Sequence, residues 1–204
     1  MIKQGLYIII MSMACSTPPI FPSIDMSTVE PALAQEKPAL VAESPGSNCL
    51  RLPIGDGSGR GYYVAQGFGG PNHHLGEDWN GMGGGNTDLG DPVYAMSDGV
   101  VVEAEDYEGG WGNVVRVRHR LGDGKQVESL YGHLDQIDVQ LGESVAMGQQ
   151  LGSIGTAHGQ YLAHLHFEIR DDLSLSVGPG YDEEFDGYLN PRKFITQKAN
   201  CRKE

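Results

Sequence analysis

Twenty-nine of the 30 glycines fall between Gly46 and Gly187, and a stretch so punctuated does not sustain long helices. What lies between the glycines reads as short strands. Val100–Glu105, Asn113–His119, Gln126–Tyr131 and Leu162–Arg170 are rich in β-branched or alternating residues and are bounded by Gly, Asp or Asn. Leu121-Gly122-Asp123-Gly124 separates two of them as a hairpin turn, with glycine supplying positive φ. Asn190-Pro191 has the form of a helix cap followed by proline at the first helical position, which predicts one short helix to about Thr196. The expected fold is mainly β, a small antiparallel sheet domain, with no internal repeat and no heptads.

The chain ahead of this domain is different in kind. Lys3 followed by the apolar run Leu6–Met11 reads as an export leader over residues 1–15, too short to span a bilayer. Ser12-Met13-Ala14-Cys15 resembles a bacterial lipobox, which implies a lipid anchor on Cys15; the alternative is an ordinary cleaved leader ending near Ala14. Six of the eleven prolines lie between Pro18 and Pro45, and residues 16–48 read as a flexible tether to a domain over 49–204. Export places the protein in the cell envelope, in the periplasm or held at a membrane, or else secretes it. There, disulfides persist. Cys49 and Cys201 sit at the two edges of the domain and are expected to pair, closing a loop worth about 4–5 kcal/mol in the chain-entropy account. With 14 Lys+Arg against 27 Asp+Glu the net charge is −13, which excludes a nucleic-acid partner, since phosphates need a basic surface.

The chemistry concentrates in two places. Along Leu162–Arg170, alternate residues share a face, so His164, His166, Glu168 and Arg170 lie opposite Leu165, Phe167 and Ile169. Two imidazoles about 7 Å apart on so clean an amphipathic strand point to a metal or catalytic site. In His74-Leu75-Gly76-Glu77-Asp78, the histidine and carboxylate at i and i+4 share a face in either regular conformation, and Gly76 permits a close backbone approach. A His and an Asp joined by one His of the later strand give three protein ligands and leave a fourth position for water, the pattern of catalytic rather than structural zinc.

These residues resemble the lysostaphin-type zinc endopeptidases that cut peptidoglycan cross-bridges. The resemblance rests on His74-x-x-x-Asp78, Tyr131-Gly132-His133-Leu134 and His164-Leu165-His166-Phe167-Glu168, in order and at family-like spacing. It is supported by Gly90–Ala95, Asp98–Val101, Gly112–Val115 and Val145–Gly152, and it runs from about Gly67 to Arg170 before resuming at Leu189-Asn190-Pro191. It implies the small antiparallel fold of that family (the duplicated hybrid motif kind) with a shallow zinc cleft. One Zn2+ would be bound by His74, Asp78 and His166, with His133 and His164 left as catalytic groups and peptidoglycan stem peptides or cross-bridges as substrate. The chain lacks His-Glu-x-x-His, so a histidine serves as base: His164, with His133 at the oxyanion, or the reverse. Members of this family that have lost ligands act as non-catalytic regulators of other wall hydrolases, and this is the alternative function; here all five positions are filled.

The remaining polar residues have plainer readings. His73 would point away from His74, His119 falls on the Val115/Val117 face as a structural histidine, and His158 lies in a solvated loop. Glu168 either orients a ligand or forms a salt bridge, and Tyr131, on the His133 face of a regular strand, is a residue that could touch substrate. Gly81–Asp88 and Asp171–Gly187 lengthen the compact family pattern and are expected to flank the cleft, with Asp182–Asp186 solvated.

Overall fold

The computed structural model describes Ser47 and residues 49–198; the leader, most of the tether, Cys15 and Cys201 lie outside the described residues. Eleven strands and one helix are present among them: β1 Tyr62–Gln66, β2 Glu77–Gly81, β3 Pro92–Tyr94, β4 Gly99–Asp106, β5 Asn113–Arg120, β6 Gln126–Leu134, β7 Gln136–Ile137, β8 Ser144–Val145, β9 Gln150–Ser153, β10 Leu165–Arg170, β11 Tyr188–Leu189 and α1 Pro191–Lys198. The large sheet runs β1-β2-β10-β6-β5-β4-β8, with β11 also on β10, and a smaller sheet runs β3-β9-β7. All these strand pairs are antiparallel.

The core cluster takes one face of the large sheet, with Val115, Val117, Tyr131, Leu165, Phe167 and Ile169, and joins it to Val93 and Leu151 of the small sheet and Ile195 of the helix. The alternation in β10 thus falls as expected. Its other face is buried too: His166, Glu168 and Arg170 are all inaccessible or nearly so. That face carries a small apolar cluster of Val114, Leu130 and Val177 beside Trp111. Around it lies a charged network in which Arg116 bonds Glu103 at 2.8 Å and also meets Glu128.

Two expectations about local structure need correction. The catalytic-strand segment begins at Leu165, not Leu162; Leu162 is exposed and His164 makes only an isolated bridge to Gly155. Tyr131 does not share a face with His133. The β5–β6 register shifts so that Gly132 and His133 together oppose Val114, and His133 adopts φ 63°. This is a β-bulge, which turns the strand by one residue. Tyr131 therefore points into the core, where its hydroxyl accepts from Met96 N at 3.0 Å, while His133 emerges on the opposite face.

Cys49 is disulfide-bonded. His119 is fully buried: its Nδ1–H donates to Asp98 O (2.9 Å), and Nε2 meets Ser129 Oγ at 2.7 Å. Burial pushes it down to about 4, so the ring is neutral.

Candidate metal centre

Three neighbouring strands bring the polar residues abreast. In the register, Asp78 of β2 faces His166 of β10, and His166 faces Gly132 of β6, next to the bulged His133. His74 arrives from the turn ahead of β2, held by a bridge to Tyr181. The approach of this turn to β10 depends on Gly76, because a Cβ there would sit 2.7 Å from Phe167 O, 2.8 Å from Glu168 Cγ and 3.0 Å from His166 Cε1. Glycine at 132 likewise leaves room for Trp111, whose ring stands edge-on to His166 at 5.2 Å.

Three donor atoms converge. His74 Nε2 and His166 Nδ1 are 3.0 Å apart, His166 Nδ1 and Asp78 Oδ1 2.9 Å, and His74 Nε2 and Asp78 Oδ1 3.3 Å. A tetrahedral ion with bonds of about 2.0–2.2 Å spaces its donors by about 3.3–3.6 Å, so the residues present fit zinc after an outward movement of a few tenths of an ångström. The His166 tautomer agrees. His166 Nε2–H donates to Glu168 Oε1 at 2.9 Å, leaving the Nδ1 lone pair for the centre. Electrostatics agree as well. Burial opposes charge on both Asp78 and His166. Hydrogen bonds from His166 and His74 nonetheless hold the Asp78 carboxyl well below the usual range, and those to Asp78 and Glu168 lift His166 to about 9. The pocket favours positive charge at this point.

Beside the three lie the other two predicted residues. Asp78, His133 and His164 form a second set of donors within 4.8 Å of one another. His164 Nδ1–H donates to Leu162 O (2.8 Å), which leaves an Nε2 lone pair 3.9 Å from Asp78 Oδ1. His133 Nδ1 faces Trp111 O at 3.3 Å. Burial, reinforced by His166 and His164 nearby, pushes His133 down to about 3, so it is neutral. The two rings are 4.7 Å apart, edge to face.

A cleft of about 350 Å3 opens over these groups. The structure brings all five predicted residues together and sets the others apart. His73 is exposed, and His158 is exposed and paired with Asp106 at 3.0 Å. Glu168 does both things expected of it, since its second oxygen accepts from Arg170 Nε at 2.7 Å. The segment Asp171–Gly187 flanks the cleft through Pro179, Gly180 and Tyr181, whereas Gly81–Asp88 contributes no lining residue. Sequence reasoning missed Trp111, Tyr161 and Tyr181 in the lining. Trp111, isolated between Gly110 and Gly112, carried a signal; the two tyrosines carried none.

The sequence profile of peptidase family M23 matches residues 74–178, just over half of the chain. The murein hydrolase activator EnvC of Escherichia coli is 40% identical over 92 residues, 45% of this chain and 20% of that protein. The glycyl-glycine endopeptidase ALE-1 of Staphylococcus capitis is 35% identical over 135 residues, 58% of this chain and 36% of that one. The chain thus spans well under half the length of either relative. The solution structure of lysostaphin superimposes with a TM-score of 0.54 at 25% identity, covering 72% of this chain and 54% of that one, and shares the mainly antiparallel β fold.

Proposed function

We propose, for a chain that belongs to peptidase family M23, that its described domain is an exported zinc endopeptidase hydrolysing peptide cross-links of bacterial peptidoglycan. The observation that carries this reading is the convergence of His74 Nε2, Asp78 Oδ1 and His166 Nδ1 within 3.3 Å, with two further imidazoles beside them. His74, Asp78 and His166 would hold the ion. Zinc so held would supply a Lewis acid for the scissile carbonyl and lower the pKa of water toward neutrality.

The chain's own residues do the rest. Glu168 fixes the His166 tautomer. His164 is the first proton acceptor, because its Nδ1 is anchored at 2.8 Å and its Nε2 lone pair lies 3.9 Å from Asp78 Oδ1, beside the donor set. His164 carries that proton on Nε2 to the leaving amine, and His133 lies beside it where the oxyanion develops. Trp111 packs beside this pair, its ring centroid 6.0 Å from His133. Upstream, the reading takes residues 1–15 as export leader with lipid on Cys15, and 16–48 as tether; fatty-acid labelling of wild type against Cys15→Ala tests the anchor.

A second reading, a non-catalytic activator of other wall hydrolases, is favoured by the 40% identity to EnvC, itself named a murein hydrolase activator. Incubation of the purified protein with peptidoglycan, with muropeptides read by mass spectrometry, separates the two. New amine termini that depend on zinc are expected. Binding to sacculi with no new termini in the presence of zinc overturns the enzyme reading.

A further inference from the structure

One wall of the cleft is built in an unusual way. Four consecutive main-chain carbonyls, Leu175 to Gly178, each accept a hydrogen bond from a side chain of the sheet region below. Arg116 Nη2 donates to Leu175 O (2.9 Å), Arg170 Nη1 to Ser176 O, Arg170 Nη2 to Val177 O (2.6 Å) and Trp111 Nε1 to Gly178 O (2.9 Å). Arg170 is completely buried to do this. The strap then crosses to the metal centre, where Leu75 N donates to Gly180 O (3.0 Å) and Asp182 N to His73 O (3.1 Å). It delivers the Tyr181 ring to 5.1 Å from His74.

A second tyrosine lies at the other end of the donor row. Tyr161 stands 5.1 Å from His133 and 5.7 Å from His164, ring to ring. Although both line the cleft, Tyr161 is 47% and Tyr181 44% exposed. Each offers a flat apolar surface and a phenolic donor at small entropic cost, the properties by which tyrosine grips a peptide chain. Among the described residues the cleft lining contains no Lys or Arg, and its one carboxylate is Asp78. The scissile carbonyl belongs at the His74–Asp78–His166 centre, so a terminal carboxylate one residue further on needs a cation of its own, and the lining supplies none.

We propose that Tyr161 and Tyr181 are specificity-determining residues that hold an internal, uncharged stretch of peptide across the cleft, and that the cleft rejects a chain end bearing a free carboxylate at that point. This rests on the endopeptidase reading and deepens it.

Two synthetic wall peptides test it on the zinc-loaded full chain. One has the scissile bond within a cross-link; the other has the same bond followed by a single residue with a free carboxylate. Tyr161→Ala and Tyr181→Ala are each expected to raise KM for the cross-linked peptide about tenfold, with kcat and zinc content within about twofold of wild type. Tyr181→Phe, which keeps the ring, is expected to recover most of the loss, and wild type to leave the terminal peptide intact. Unchanged KM in both alanine variants overturns the proposal, as does trimming of the terminal peptide by wild type as fast as the cross-link. If wild type cleaves neither peptide, affinity for the non-hydrolysed cross-linked peptide decides. Weaker binding by both alanine variants then supports the tyrosine grip while the endopeptidase reading fails, and equal binding overturns both.

Discussion

Gly76→Ala is the most direct probe of how the fold makes the centre. The new methyl would lie 2.7 Å from a main-chain oxygen of β10, Phe167 O, which cannot swing away, and 3.0 Å from the His166 ring. Contact at these distances is relieved only by separating the turn ahead of β2 from β10 by roughly half an ångström or more, and overpacking of this kind costs about 1–3 kcal/mol. The same movement drags His74 and Asp78 away from His166, whose donor atoms lie within 3.3 Å of one another. A displaced donor set is expected to lose about 10–100-fold in zinc affinity, as when the supporting partners of a ligand are removed. At saturating zinc this adds about 1.4–2.7 kcal/mol to the loss, because ligand binding to the folded state alone contributes through its occupancy.

Thermal unfolding in zinc and in chelator, with a competitive zinc titration, separates the terms; each kcal/mol lowers Tm by about 2–4 °C in a domain of this size. The deficit should be larger in zinc. Gly67→Ala is the control, since a Cβ there meets nothing closer than Val64 Cγ1 at 3.9 Å, and it should be neutral within about 0.5 kcal/mol. A wild-type Tm in both buffers would refute the close-approach argument, and an equal deficit in both would refute its link to the metal.

Other outcomes follow from the same geometry. His166→Ala is expected to lose stoichiometric zinc, whereas His164→Ala keeps zinc and loses about 10²–10⁴ in turnover; full zinc in His166→Ala, by elemental analysis, removes it from the donor set. Glu168→Ala leaves the buried Arg170 guanidinium without its carboxylate and should cost about 3–5 kcal/mol in urea unfolding. A loss below about 1 kcal/mol would show that the ion pair does not hold that face together. For His119, the unfolded chain takes up a proton near pH 6.5 and the folded protein only near 4, so its contribution is full above 6.5 and is lost as pH falls between those values, about 3 kcal/mol in all. His119→Gln should show a shallower fall in stability from pH 6.5 to 4 than wild type, and parallel curves would refute the assignment.

The parts of the site that were legible in the sequence are those governed by local periodicity. The β10 alternation fixed which residues join His166 and which join the core, and the four-residue step from His74 to Asp78 survived because Gly76 lets the turn close against β10. The bulge at Gly132-His133 was not legible, since it depends on two residues of β6 meeting one of β5, a cross-strand relation with no local mark. Reading β6 as regular placed Tyr131 beside His133, and the structure puts them on opposite faces. Strands of two to five residues, such as β3, β7, β8 and β9, were missed because a run so short has no period to detect. The burial of Arg170 could not be read either: its cover is a segment whose own sequence looks like solvent-facing loop, and only the guanidinium's choice of carbonyl partners explains it.

The strap over the sheet is fastened through its backbone, and this separates its attachment from its sequence. Val177 is fixed by packing against Val114 and Leu130, and Gly178 by its φ of 77°. Exposed Ser176, Pro179 and Asp182–Glu184 are bound by neither condition. Substitutions there leave the four carbonyl contacts intact, and Pro179, the one of the five that lines the cleft, can be changed without unfastening its wall. A library at Pro179 would vary what the cleft accepts at nearly constant stability, with the other four positions free to change beside it, a freedom unavailable in a loop held by its own side chains.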